Sequence, residues 1–438
     1  MWRHFRPTPR LFPDAFALPR SSLLITVDRL NPSFLGPYGG TSAATPNFNR
    51  LAAQSLVMEY AISDAADLAL VLRSYWQGVH ACAAPERSVS PGVLQLLETA
   101  HVRTTLVSDD PAVVAHPLAE SFHERVQLPD SPSSSCAAAA EETQLAQSLA
   151  AALEILAEQR APFHLHLHLQ GLAGPWDAPL DLRETLRGED DPEPRDDASG
   201  PALRLEPDYD PDLLVGITQA YAAQVMLLDM ALGVLLDAVD GHSARDELLL
   251  IVTAPRGFPL GEHLIVGQAE TALYGELLHV PLLVRRGDKL GALARDHALV
   301  QPADISATLA EWFDLPRPPP SPQASSLLAR TMPSPAPWPR EQTLSIADGQ
   351  RATRTSAWFL RQTMRSAENA AGDHDLNTSE LFSKPDDRYE ANEISSLCPL
   401  IAEQLAARMA HVELAHAAND FTPVEPLPPE LVDGMEAF

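Results

Sequence analysis

"LLITVDRLNPSFLGPYGGTSAATPNFNRLAAQS", Leu23 to Ser55, decides the fold. With the two serines before it, the run "SSLLITVD" (Ser21 to Asp28) is continuously strand-like and closes on an acid. Such a run reads as a strand buried on both faces of a parallel sheet, and Asp28 is delivered to the sheet's carboxyl edge, where sites form. Thr45-Pro46 then signals a helix start over "TPNFNRLAAQSLV".

Outward from this unit the same alternation recurs. "RTTLVSDD" (Arg103 to Asp110), "FHLHLHLQG" (Phe163 to Gly171), "DELLLIVTA" (Asp246 to Ala254) and "HVPLLVRRG" (His279 to Gly287) read as buried strands. "ITQAYAAQVMLLDMALGVLLDAV" (Ile217 to Val239) has an apolar period near 3.6 and reads as a helix between them. The fold class is therefore α/β: a large, mostly parallel sheet sandwiched by helices over residues 21–340, preceded by an N-terminal extension over 1–20. Residues 181–212 hold twelve acids and four arginines, net minus 8, and read as a mobile acidic surface loop. A Pro-rich run over 316–340 reads as an extended linker. After it come short strand-like pieces and one amphipathic helix near residues 397–418, giving a small C-terminal α+β subdomain over 341–420 and a tail over 421–438. There are no internal repeats.

Composition narrows the function classes. Thirty-one Lys plus Arg face 59 Asp plus Glu, a formal charge of minus 28 that repels nucleic acid and other polyanions. The only lysines are Lys289 and Lys384. Three cysteines, Cys82, Cys136 and Cys398, have neither metal-type spacing nor an even count, so neither a disulfide framework nor a zinc site is expected. The N-terminus scatters arginines and prolines through its apolar residues, and the apolar runs read as strand length, so neither a secretory leader nor a membrane span is expected. A cytoplasmic protein is the expectation.

Several of these stretches together resemble the sulfatase branch of the alkaline phosphatase superfamily. Its opening motif has the form "ILLITVDTLRADHLGCYGG…TPNLDRLAAEG", close to Leu23–Ser55. "LYGELLHVPLLV", "QPADISATLAEWFDLP" and "ELFSKPDDRYEANEIS" continue the likeness in order, and Tyr221, Asp229 and Gly233 fit the family's "Y…D…G" helix. It covers roughly residues 21 to 397 and implies the fold stated above, alkaline phosphatase/sulfatase-like.

The resemblance also implies a chemistry. In the family a formylglycine made from cysteine, or a serine, attacks from within C/S-x-P-x-R, a calcium ion draws charge from the ester, and lysines and histidines stabilise the leaving oxygen. Here "MEYAISDAADLALVLRSYWQG" aligns on that motif without a gap and puts Leu68 at the nucleophile, Leu70 at the proline and Leu72 at the arginine. Leucine has no heteroatom to attack with. Arg73 falls one place late, which on a helix points it elsewhere. In "LLIVTAPRGFPLGEH" (Leu249 to His263), Pro255 and Arg256 stand where the family has its calcium-binding Asp and the residue after it, while Gly257, Gly261, Glu262 and His263 keep the loop's form. Gln268 replaces the lysine of "WGK", Gly171 an acid and Ala173 the substrate-binding histidine, and Val79 stands at a further basic position. Asp28 alone survives among the expected metal acids, flanked by Arg29 and Arg256, so an ion pair is its expected fate.

Other candidates are weaker. His164, His166 and His168 alternate along one strand and share a face, a spacing open both to a transition metal and to hydrogen-bonded packing, with packing favoured. Ser63, Asp64, Asp67 and Ser74 flank the lost motif, but a shift of one helical position turns a side chain by about 100 degrees and spoils in-line attack. His80 reads as a surface or packed residue.

The expectation is a sulfatase-like pseudoenzyme, with no catalytic residue, no metal and no cofactor. Its vestigial pocket is formed by Asp28, Arg29, Leu68, Leu72, Ala173, Pro255, Arg256, His263 and Gln268. It acts as a binding module for a small ligand in that pocket, or stabilises an active sulfatase homologue or a second copy of itself. Neither nucleic acid nor membrane is an expected partner. The alternative is a sulfuric or phosphoric ester hydrolase with a non-standard site.

Overall fold

The computed structural model describes residues 19–84, 91–129, 133–268, 271–316, 324–364, 377–418 and 425–434. An eight-stranded sheet forms its centre. β1 (Ser21–Val27), β5 (Phe163–Leu169) and β7 (Leu248–Thr253) lie in its middle, and every residue of the three is buried. Strands covered on both faces need apolar side chains on both, which explains their unbroken runs. β3 (Arg103–Ser108) and β4 (Glu124–Gln127) extend the sheet on one side. β9 (His279–Arg286), β2 (Leu56–Ile62) and β10 (Ala294–Val300) extend it on the other, in the order β10-β2-β9-β7-β1-β5-β3-β4. β9 alone runs antiparallel to its neighbours β7 and β2. The carboxyl ends of β1, β5 and β7 therefore open on the same edge.

Two elements differ from the sequence expectation. The helix after Thr45 covers only Pro46–Ala52, because Leu56 and Val57 are buried and already belong to β2. The helix Pro211–Gly241 is 31 residues long, with a mean hydropathy of 1.8 over its best window, enough by length and composition to cross a membrane. The expectation that no apolar window reaches span length is thus corrected. Some 67% of that window is buried inside the molecule, because the helix packs against the helices Pro46–Ala52, Gln144–Glu158 and Leu180–Glu184 and needs apolar residues on most faces.

The acidic segment 181–212 is structured rather than a bare loop. It holds the end of the helix Leu180–Glu184 and the strand β6 (Ala202–Arg204), which pairs antiparallel with β8 (Ile265–Gly267). Buried Arg183 donates to the Trp176 and Arg195 carbonyls, and Arg187 pairs with Glu193 at 2.7 Å. The arginines fasten the segment that the acids alone would leave solvated.

The C-terminal subdomain is an antiparallel sheet of β11 (Thr343–Ala347), β12 (Gln350–Arg354), β13 (Trp358–Met364) and β14 (Asn377–Ser383). The helix Pro399–Ala418 lays Ile401, Leu405 and Met409 against Leu344, Leu360 and Leu381. In the tail, Leu431 joins this cluster. β11 also reaches the main domain: Ile346 N donates to Asp64 O at 3.0 Å and Ala66 N donates to Ile346 O at 3.1 Å. The subdomain thereby fixes the loop that enters the helix Leu68–Gln77. Residues 1–18 of the N-terminal extension, 317–323 of the Pro-rich run, and 421–424 and 435–438 of the tail lie outside the described residues. The described part of the Pro-rich run turns through Leu327–Thr331 and buries Leu327 and Leu328.

Candidate functional site

Asp28 leaves β1 at the carboxyl edge and is 2% exposed. A carboxylate so deeply buried needs a counter-charge, and Arg256, just past β7, supplies one. Its Nε donates to Oδ1 at 3.1 Å and its Nη2 donates to Oδ2, a two-pronged pair, while Nη1 donates to the Ala66 carbonyl at 3.2 Å. Burial pushes the Asp28 carboxyl up, but the charge and hydrogen bonds of Arg256, helped by Arg29, outweigh it and hold it below its ordinary range. The same pair raises Arg256, against the desolvation that would lower it.

Arg29 follows with φ 65, a left-handed conformation that turns its side chain away from Asp28 toward the β7 loop. Nη1 reaches the Gly257 carbonyl at 3.4 Å, and Nε is buried without a partner. Burial, then the like charge of Arg256, lowers its guanidinium to about 10. The turn is locked from the helix Pro211–Gly241: Tyr221 Oη donates to Arg29 O at 2.7 Å and accepts from Asn31 N at 2.8 Å. Two guanidinium groups thus stand beside Asp28, with the Asp67 and Asp110 carboxylates also acting on Arg256.

The other sequence candidates fall around this pair in different ways. Leu68 opens the helix Leu68–Gln77 and is partly buried, with Asp67 capping the first turn through Leu70 N at 3.2 Å. Leu72 is 1% exposed and packs in the core, a correction to its expected place at a pocket mouth: from Val71 to Trp76 every residue of the helix is buried. Arg73 points inward, as its helical phase predicts, and holds the His80, Ala81 and Ala83 carbonyls at 3.2, 2.6 and 2.9 Å. Pro255 is buried and Ala173 half-buried. His263 is drawn elsewhere, pairing with Glu276 at 2.7 Å and stacking on Tyr274 with ring centroids 3.5 Å apart. Gln268 is exposed beyond β8. The structure therefore joins Asp28, Arg29 and Arg256 directly and sends Leu72 and His263 into other contacts.

The flanking acids and hydroxyls are also engaged. Ser74 Oγ donates to Asp64 at 2.6 Å, Ser63 Oγ donates to the Ala65 carbonyl at 2.9 Å, and Asp67 caps the helix. His80 is buried, bonded to the Leu344 carbonyl and stacked on His416.

The three strand histidines are buried and hydrogen-bonded. Trp76 Nε1 donates to His166 Nδ1 at 3.0 Å, and an indole can only donate. His166 therefore carries its proton on Nε2 and donates it to Thr26 Oγ1 at 2.9 Å, leaving the Thr26 hydroxyl to donate to His168 Nδ1 at 2.8 Å. His164 Nδ1 pairs with Ser22 Oγ at 2.8 Å. Burial lowers all three, His164 to about 4, so the row is neutral near pH 7.

These residues do not fit calcium. That ion takes about six to eight oxygens, and both oxygens of Asp28, the acid that the resemblance assigns to the metal, are taken by a guanidinium. At the position where the family carries an acid, Gly171 has φ 56, and a Cβ there would lie 2.3 Å from Val27 Cγ1, so packing leaves no room for a ligand side chain. Among the described residues no group of three or more His, Cys, Asp or Glu is placed to hold a metal ion.

Comparison with solved structures places the fold. The phosphonate monoester hydrolase of Agrobacterium radiobacter superposes with a TM-score of 0.70 at 16% identity, over 93% of this chain and 100% of that one. A protein solved in complex with its substrate D-glucosamine-2-N,6-O-disulfate gives 0.73 at 16% identity, over 93% and 100%. The phosphonate monoester hydrolase of Silicibacter pomeroyi gives 0.69 at 16%, over 92% and 97%. No curated protein matches. The architecture is that of the alkaline phosphatase superfamily. Within it, the chain belongs to the sulfatase family, whose profile matches residues 21–315.

Proposed function

We propose that this member of the sulfatase family is a pseudoenzyme: it does not hydrolyse sulfuric or phosphoric esters and works as a binding or partner-stabilising module. One observation carries the reading. Arg256 occupies both oxygens of Asp28, the carboxylate that the resemblance assigns to the metal, so a fixed positive charge stands where a divalent cation would. Leu68 at the nucleophile position supports it, since no atom there can attack sulfur or phosphorus. With Arg29 beside the pair, two guanidinium groups stand next to Asp28, which disfavours a divalent cation on that carboxylate. The module is cytoplasmic, takes no cofactor, binds neither nucleic acid nor membrane, and has as partner an active sulfatase homologue or a second copy of itself.

The test is hydrolysis of aryl sulfate, aryl phosphate and phosphonate monoesters by the purified protein with and without added calcium, magnesium, zinc or manganese. Rates at background for all three esters are expected. Metal-dependent turnover that disappears in Asp28→Asn contradicts the proposal and establishes the alternative, a hydrolase with a non-standard site.

A further inference from the structure

A second site lies where the main domain meets the C-terminal sheet. A cavity of about 230 Å³ opens between β2, β9, the loop after β1 and the segment Lys384–Glu390. None of Asp28, Arg29, Leu68 or Arg256 lines it.

Arg354, the last residue of β12, projects into this cavity and is 8% exposed. Its guanidinium lies over the ring of Tyr60, Cζ 4.5 Å from the centroid. Its Nε is buried with no partner, and among the described residues no carboxylate or carbonyl accepts from the guanidinium. A buried arginine without an acceptor is costly to keep, so the missing partner needs an explanation.

The other charges around the cavity are already used. Lys384 pairs with Glu390, whose second oxygen accepts from Gly275 N at 3.1 Å. Glu59 pairs with Arg295, and Glu276 with His263. What remains is Arg354 inside and Arg388 at the exposed rim, where it donates to Ser33 Oγ at 3.3 Å, against Glu262, which accepts from Leu260 N. Among these lining charges, Arg354 is the one whose side chain makes no hydrogen bond or ion pair among the described residues.

We infer that this cavity binds a small oxyanion, a phosphate, sulfate or short carboxylate, with the Arg354 guanidinium as its anchor and Arg388 as the second contact at the mouth. The guanidinium is planar, and its N–H groups can donate side by side to two oxygens of one anion. The size agrees, since pockets for drug-sized ligands begin near about 300 Å³ and this one is smaller. The inference does not depend on the fate of Asp28: it holds whether or not the chain hydrolyses esters.

The test is calorimetric titration of the full chain with inorganic phosphate, sulfate and acetate against chloride at constant ionic strength, with thermal midpoints measured in parallel. At least one of the three is expected to bind saturably at one site and to raise the midpoint, and the strongest arm names the anion. Arg354→Gln is expected to weaken that binding by roughly tenfold or more, Arg388→Ala by about two- to threefold, and the surface variant Arg103→Gln not at all. Arg354→Lys, which keeps the charge and loses the planar fork, is expected to fall between wild type and Arg354→Gln. No saturable binding of any of the three to wild type overturns the assignment, as does wild-type affinity in Arg354→Gln. Should Arg354→Gln not fold, wild-type affinity in both Arg354→Lys and Arg388→Ala overturns it equally.

Discussion

Arg256 grips Asp28 from across the sheet edge, one residue coming from the end of β1 and the other from just past β7. Both side chains are largely buried, at 13% and 3% exposure, so the pair matters to folding as well as to the site. Arg256→Met leaves a buried, unpaired carboxylate and is expected to destabilise the fold by about 3–5 kcal/mol. The double variant Asp28→Asn with Arg256→Met removes both charges and is expected to recover most of that loss. Urea denaturation of the four proteins reads the cycle, and additive losses would show that the two residues do not interact.

The pH dependence of that pair has a definite sign. The Asp28 carboxyl is held below its ordinary 3.8, so its contribution to stability is complete above that value and is lost as pH falls through the lower folded value. Asp64 behaves in the opposite sense: burial first of all raises it to about 6, despite its bond from Ser74. Between 3.8 and about 6 the folded chain holds that proton more tightly than the unfolded chain, so stability falls as pH rises through this window. Asp64→Asn is expected to flatten that fall, by at most about 3 kcal/mol. Denaturant midpoints of wild type and variant at pH 4, 5, 6 and 7 check it, and parallel curves would count against it.

The buried polar row beside the site gives a third expectation. Thr26 Oγ1 accepts a hydrogen bond from His166 Nε2, and its hydroxyl donates one to His168 Nδ1. Thr26→Val strands both imidazoles and is expected to cost about 2–5 kcal/mol, near the penalty of two unsatisfied buried groups. Nitrogen-resolved NMR of the wild-type histidines should find the His166 proton on Nε2, and a proton on Nδ1 would break the deduced chain.

Restoring the nucleophile alone should not restore chemistry. Leu68→Ser supplies a hydroxyl at the opening of the helix Leu68–Gln77, yet Arg256 still holds Asp28 and the Gly171 position still admits no acid. Aryl sulfate hydrolysis by this variant is expected to stay at background with calcium present, and measurable turnover would show that the cation site had not been lost.

How much of this could be read from the chain depends on the range of the interaction. The buried strands β1, β5 and β7 were legible because a strand covered on both faces must be apolar throughout. β2 was hidden inside a helix-like stretch, since "AAQSLV" carries no break that separates the end of a helix from the start of a strand. The crowding of Asp28 by two arginines was visible in the motifs, but which arginine takes the carboxylate was not. The left-handed backbone at Arg29 settles that choice by turning it toward Gly257. Leu72 is buried because the helix is covered on all sides from Val71 to Trp76, and His263 pairs with Glu276, a partner thirteen positions on that no local pattern announces. Arg354 gave no sequence signal at all, because its lack of a partner is a property of the packed cavity.

The proposal that Arg256 stands in place of a metal ion is tested most directly by calorimetric titration of the metal-stripped protein with calcium. No saturable binding is expected, because the Arg256 guanidinium already occupies both oxygens of Asp28. Tight, stoichiometric calcium binding that is lost in Asp28→Asn would contradict it.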